Sequence, residues 1–93
     1  MGDFTFTKHA EERFQQRGFR NDIYDFLLEY GEITRTHNEC FILEISKKEL
    51  SLLEADKSLD QVTRDFIRAN FDKIVKKKVV ISEVSVVTFY NAA

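Results

Sequence analysis

The stretch NDIYDFLLEYG (Asn21–Gly31), followed directly by EITRTHNECFILEIS (Glu32–Ser46), decides the fold class, because its hydrophobic period changes partway along. In the first half Ile23, Phe26, Leu27 and Tyr30 recur at i, i+3, i+4 and i+7, the spacing of one helix face. Asn21 and Asp22 favour a helix start and Gly31 a stop, which makes this the clearest amphipathic helix in the chain. In the second half the period falls to two. Glu32–Thr36 and Cys40–Ser46 read as strands joined through His37, Asn38 and Glu39, with Phe41, Leu43 and Ile45 on one face. A helix feeding a β-hairpin predicts an α+β domain.

Upstream, Phe4 and Phe6 alternate with Asp3, Thr5 and Thr7, predicting a short opening strand and then a helix capped by Thr7. That helix runs to about Arg17, where Gly18 supplies the C-terminal stop. Downstream, Lys47–Ala55 is helical in composition, and Ser58 with Gln61 forms a capping box ahead of a longer helix. Leu59, Val62, Phe66 and Ala69 make its expected buried stripe, widened by Ile67, Phe71 and Ile74 toward Lys78. Val79–Ile81 and Ser85–Tyr90 have β character and form either a final hairpin turning near Ser82–Val84 or one long bent strand. The expected order is β-α-α-β-β-α-α-β-β, with helices packed on a small antiparallel sheet.

A chain of 93 residues with no proline and only three glycines leaves no linker and no room for a second core, so residues 1–93 are read as one domain. Nine Phe and three Tyr supply bulky core material. The single cysteine, Cys40, excludes an internal disulfide and fits a reducing compartment, so a cytoplasmic location is expected. The opening Met1-Gly2-Asp3-Phe4 has none of the parts of a signal peptide, and Phe6 stands where a myristoylation motif requires Ser or Thr. The most apolar patch, Val79–Val87, is interrupted by Ser82, Glu83 and Ser85, so no membrane-spanning helix is expected.

A net charge of −2 argues against coating nucleic acid by bulk electrostatics. Locally, however, Thr63–Lys78 carries Arg64, Arg68, Lys73, Lys76, Lys77 and Lys78 against Asp65 and Asp72, a balance of +4. The three lysines closing the long helix complement its dipole. If Arg64 and Arg68 face the same way, these residues and Lys76, Lys77 and Lys78 form a candidate stripe for a phosphate backbone or an acidic partner.

The candidate chemistry lies in His9-Ala-Glu-Glu-Arg13-Phe-Gln-Gln-Arg17-Gly18. Four-residue spacing sets His9, Arg13 and Arg17 along one helix ridge beside Ala10 and Phe14. An imidazole that exchanges protons near neutral pH then stands beside guanidinium forks suited to phosphate, the combination that metal-free RNA cleavage needs. A structural reading is also open, in which His9 and Arg13 serve carboxylates of the next helix such as Asp22, Asp25 or Glu29. His37 reads as a turn residue and Cys40 as a packing residue. His37 and Cys40 offer too few ligands for structural zinc, and no metal or other cofactor is implied.

With the strand Phe4–Thr7 leading into Lys8-His9-Ala10, the spacing His9…Arg13…Arg17-Gly18, the Asp22-to-Gly31 helix and a last strand ending Val86-Val87-Thr88-Phe89-Tyr90, the chain resembles a bacterial domain-of-unknown-function family grouped with the RelE/ParE-type toxins of toxin-antitoxin systems. The resemblance covers the first third and the last strand. It implies a RelE-like fold and metal-independent endoribonuclease chemistry, with His9 exchanging protons, Arg13 and Arg17 holding phosphate, and Thr88 and Tyr90 lining the site. The partners implied are RNA or the ribosome, and an antitoxin or other protein. The acidic balance and the lack of a complete catalytic constellation support an alternative, a non-catalytic protein-protein interaction module, phage- or plasmid-encoded, on the same scaffold.

Overall fold

The computed structural model describes residues 5–36, 40–82 and 85–91. Its first helix, α1 (Lys8–Gln16), is fixed at both ends by local chemistry. The Thr7 hydroxyl accepts from the Ala10 amide at 3.1 Å and donates to the Val87 carbonyl at 3.2 Å, so one side chain caps the helix and ties it to the last strand. At the other end Gly18 takes φ +65°, Gly18 N–H donates to Gln15 O and Phe19 N–H to Phe14 O. That pair of bonds is a Schellman cap, which requires the left-handed residue that glycine supplies.

The chain before α1 forms β1 (Thr5–Phe6), and after it come α2 (Asn21–Tyr30), β2 (Glu32–Arg35), β3 (Phe41–Glu44), α3 (Lys47–Ala55), α4 (Gln61–Lys76), β4 (Lys77–Ile81) and β5 (Ser85–Asn91). Ile23, Phe26 and Leu27 are buried as their spacing requires. Gly31 follows α2 for a steric reason: a Cβ there would lie 2.5 Å from the Leu27 carbonyl oxygen and 2.9 Å from Leu43 Cδ1. Ser46 caps α3 by accepting from Glu49 N–H at 3.1 Å. The cap of α4 is Asp60, which accepts from Thr63 N–H, and not the expected Ser58. Asp56 captures the Ser58 hydroxyl at 2.7 Å and amide at 2.9 Å, so Ser58 closes a turn instead.

The five strands form one sheet in the order β1-β5-β4-β3-β2. It is mixed, which corrects the expectation of a purely antiparallel sheet: β1 runs parallel to β5, pairing Thr5 with Ser85 and Phe6 with Val86. These two strands lie at opposite ends of the chain and share no tight turn, so nothing in their connection forces them antiparallel. β4 and β5 pair antiparallel, which settles Val79–Tyr90 as a hairpin and not one bent strand. Residues 83 and 84 of its turn, and His37, Asn38 and Glu39 of the first hairpin, lie outside the described residues.

Phe89 is the centre of the core. Fully buried, it meets Phe6 and Phe14 at 5.1 Å, Phe19 at 4.6 Å and Tyr24 at 5.8 Å between ring centroids. Such tilted and edge contacts add to area burial by about 0.5–1.5 kcal/mol per pair. A register shift opposite Val80 and Ile81 leaves Val87 as an extra residue, because Thr88 pairs with Val80 while Val86 pairs with Ile81. The bulge turns both Val86 and Phe89 inward although they stand three residues apart.

The buried stripe of α4 is Ile67 and Ile74, flanked by half-buried Phe66, Phe71 and Val75. Val62 is 76% exposed and Ala69 is exposed, so the expected Leu59–Val62–Phe66–Ala69 stripe is one face out of phase. A kink at Asn70 (φ −122°, ψ 15°) interrupts the helix, and its amide side chain bonds back to the Phe66 carbonyl at 2.9 Å. Among the described residues no helix is long and apolar enough to cross a membrane.

Candidate functional site

α1 lies on β5 with Ala10 and Phe14 turned to the sheet, which leaves the ridge of His9, Arg13 and Arg17 at the outer side. His9 and Arg17 are exposed and Arg13 is half-buried. Arg13 Nε donates to His9 Nε2 at 3.4 Å, a long, weak bond, and its Nη1 donates to Gln16 Oε1 at 3.3 Å. The imidazole and guanidinium are therefore neighbours, and Gln16, which sequence reading passed over, steadies the fork from one turn away. Its position three residues after Arg13 was the available signal. Asp22, one of the carboxylates considered for His9 and Arg13, is held by Arg20 through bonds of 3.0 and 2.9 Å. Arg20 and the Ile23 amide hold the Asp22 carboxyl below its usual range, against a smaller opposing push from burial.

Thr88 and Tyr90 are not on this ridge. Phe89 between them points at Phe14 of α1, and successive residues of a strand face opposite ways. Both therefore share the opposite sheet face with their cross-strand partners Val80 and Lys78. On that face, Lys78 Nζ pairs with Glu44 at 2.7 Å.

The five cations of the expected stripe are dispersed. Arg64 donates to Gln61 at 2.7 Å, and Arg68 reaches across to Glu54 on α3 at 3.2 Å and along α4 to Asp65 at 3.8 Å. Lys76 is the last residue of α4, while Lys77 and Lys78 begin β4, so they do not close the helix as expected. The strand pairings Lys77 with Asn91 and Lys78 with Tyr90 take both residues out of the helical path.

Lys77 is the least expected of these placements. It is only 7% exposed, and its ammonium donates to the Arg17 carbonyl and to Asn91 Oδ1, both at 2.8 Å, with the Phe19 ring 4.9 Å away. The Arg17 carbonyl belongs to the C-terminal cap of α1, where a cation meets the negative end of the helix dipole. Burial first, and then Lys73, pushes the Lys77 pKa down, whereas the two oxygen acceptors favour the charged form. Lys73, Lys76, Lys77, Asp72 and Asn91 line a shallow cleft of about 170 Å³ at the end of α4. Lys77 thus sits one carbonyl away from Arg17, and the cationic cleft adjoins the last turn of α1.

No group of three or more His, Cys, Asp or Glu side chains among the described residues is placed to hold a metal ion. Cys40, half-buried, precedes β3, and its carbonyl accepts from the amide and hydroxyl of Thr36. No protein family, curated protein or solved structure matches the chain.

Proposed function

We propose that the chain is a RelE/ParE-like toxin-family domain that cleaves RNA without a metal, in the cytoplasm of a bacterium. The observation that carries this reading is the His9–Arg13 contact on the outer side of α1, with Arg17 one turn further on. On this reading the imidazole of His9 takes the proton of a ribose 2′-hydroxyl as that oxygen bonds to phosphorus. The bond from phosphorus to the 5′-oxygen breaks, and the imidazolium returns the proton to that leaving oxygen. Arg13 and Arg17 carry the charge that gathers on the non-bridging oxygens. Lys73 and Lys76, in the cleft beside the end of α1, extend the phosphate track. Thr88 and Tyr90, on the far face of the sheet, contact RNA only if it wraps the β1 side of the sheet, so they are assigned no part in the chemical step.

The test is incubation of wild type and His9→Ala with total RNA, with and without ribosomes, in the presence of a chelator. Wild-type cleavage that falls by about 100-fold or more in His9→Ala supports the reading, since a positioned general base contributes roughly 10²–10⁴ in rate. Cleavage unaffected by the substitution removes His9 from the chemistry.

A second reading, the non-catalytic interaction module, is favoured by one observation. β2 is an edge strand whose four residues are all exposed, with Ile33 57% exposed. An open edge of this kind pairs with an extended segment of an antitoxin or another protein. Absence of cleavage in every condition, with retained binding of such a segment, selects this reading.

A further inference from the structure

The helix α2 carries two stripes. One, Ile23 and Leu27, is buried in the core, while Asp25, Phe26, Glu29 and Tyr30 face a groove that α4 closes from the other side with Val62 and Phe66. The floor is aromatic, with Phe26 4.9 Å from Tyr30 and 5.6 Å from Phe66 between ring centroids. Its volume of about 310 Å³ is at the small end of ligand pockets, enough for one or two large apolar side chains and too little for a whole folded element. Val62, 76% exposed, extends the apolar surface onto the rim.

The rim defines the sign of what binds. Asp25 and Glu29 are exposed and hold no ion pair among the described residues. The Tyr30 hydroxyl registers the same negative field: burial, and then the charges of Glu29 and Asp60, push its pKa above the usual 10.0. A phosphate backbone is repelled from such a rim, which leaves a cationic polypeptide as the matching class. The rim acids stand four residues apart along α2, so a helix lying beside it meets them with cations at the same spacing.

We propose that the groove between α2 and α4 is a docking site for a basic amphipathic helix from another protein, with apolar anchors on Phe26, Tyr30 and Phe66 and Lys or Arg residues against Asp25 and Glu29. Apolar anchors in the groove hold the helix in place, and the rim charges select its sign. The inference stands on different residues from the α1 ridge and does not depend on whether the chain cleaves RNA.

The experiment uses two helix-forming peptides of about 18 residues, long enough to be partly helical in water. Both carry Leu at i, i+4 and i+7 on an Ala/Gln background; one has Lys at the flanking positions and the other Glu. Binding to the full chain is followed by fluorescence anisotropy and by amide chemical-shift changes. The expected result is that the Lys peptide binds, more weakly as salt rises, and shifts residues of α2 and α4, while the Glu peptide does not. The double variant Asp25→Lys/Glu29→Lys should lose about tenfold or more in affinity for the Lys peptide and gain binding of the Glu peptide, because attraction becomes repulsion at exposed sites that leave the core intact. Val62→Glu, also at an exposed position, should weaken the Lys peptide by blocking the apolar contact despite adding an attractive charge. Equal binding of both peptides, binding of neither, or shifts located elsewhere would overturn the proposal. Concentration-dependent self-association abolished by the double variant would overturn it in favour of a second copy of the chain.

Discussion

Replacing Lys77 with Met tests whether a buried cation holds the end of α1. The substitution keeps most of the apolar stem against Phe19 and removes only the ammonium, whose two bonds of 2.8 Å end on the Arg17 carbonyl and Asn91 Oδ1. Hydrogen bonds to a charged group contribute about 1.5–3 kcal/mol each, and a partly buried cation at a helix C-terminus up to about 2 kcal/mol. These contributions overlap and do not add. The Arg17 carbonyl also accepts from Asn91 Nδ2 at 3.4 Å, so it keeps a weak partner, and exposed Asn91 turns its own oxygen to water. Removing the ammonium also relieves its desolvation cost. The expected net loss is therefore about 2 kcal/mol, or roughly 8–16 °C in Tm for a domain of this size. Urea denaturation of wild type and Lys77→Met, fitted with a common slope, measures it. A loss below about 0.5 kcal/mol, or a gain, would show that the cost of burying the charge cancels what it holds, and the anchoring role would be refuted.

Four further outcomes follow from single contacts. Thr7→Val should destabilise by about 1 kcal/mol, since it removes the cap of Ala10 N–H and the bond to Val87 together, and slower amide exchange at Ala10 in the variant would contradict this. Gly18→Ala should lose about 1 kcal/mol through its left-handed φ of +65° alone, because nothing beyond its chain neighbours lies within 4 Å of the added Cβ, and Gly18→Asn should recover part of it; equal melting of all three sinks the assignment. Ile67→Val should cost about 0.5–1.5 kcal/mol while Val62→Ala stays within about 0.5, and the reverse ranking would reinstate the stripe read from sequence. The Asp22 carboxyl is lowered from 3.8, chiefly by its bond from Arg20, so its stabilisation is complete above 3.8 and is lost as pH falls through the lower folded value. With both side chains about half exposed the contribution at pH 7 is under about 1 kcal/mol, and Asp22→Asn should flatten the acid limb of stability against pH; an unchanged limb would place the linkage elsewhere.

Where sequence reading succeeded, the signal was local. Thr7 before Lys8 and Gly18 after Arg17 each do what their chemistry allows wherever a helix starts or stops, and Ile23, Phe26 and Leu27 have one face to bury because polar residues fill the other. In α4 the local signal was degenerate. Val62–Phe66–Ala69 and Ile67–Phe71–Ile74 are both apolar at helical spacing, and which is buried is decided by α2, α3 and the Asn70 kink, all of them contacts with distant or irregular backbone. The lysine run failed for a related reason. Three consecutive lysines read as the closing residues of a helix, complementing its dipole, but β4 starts at the second, and its pairing with β5 sends Lys77 to the inner face and Lys78 to the outer. The parallel β1–β5 edge rests on two residue pairs between opposite ends of the chain, a link that no local pattern encodes.

The same anchoring separates the structural and chemical duties of Arg17. Its backbone carbonyl receives the Lys77 ammonium, while its exposed side chain is the member of the ridge proposed to hold phosphate. Arg17→Ala keeps the carbonyl and so should leave stability within about 0.5 kcal/mol, the range of a surface substitution. Lys77→Met keeps the guanidinium but loosens the last turn that carries it. If the α1 ridge cleaves RNA, Arg17→Ala should slow cleavage with an unchanged Tm, whereas Lys77→Met should lower Tm and slow cleavage less below its melting range. Both variants slowing cleavage only in proportion to their unfolding would mean that the ridge contributes through the fold alone, and the guanidinium of Arg17 would have no part in the chemistry.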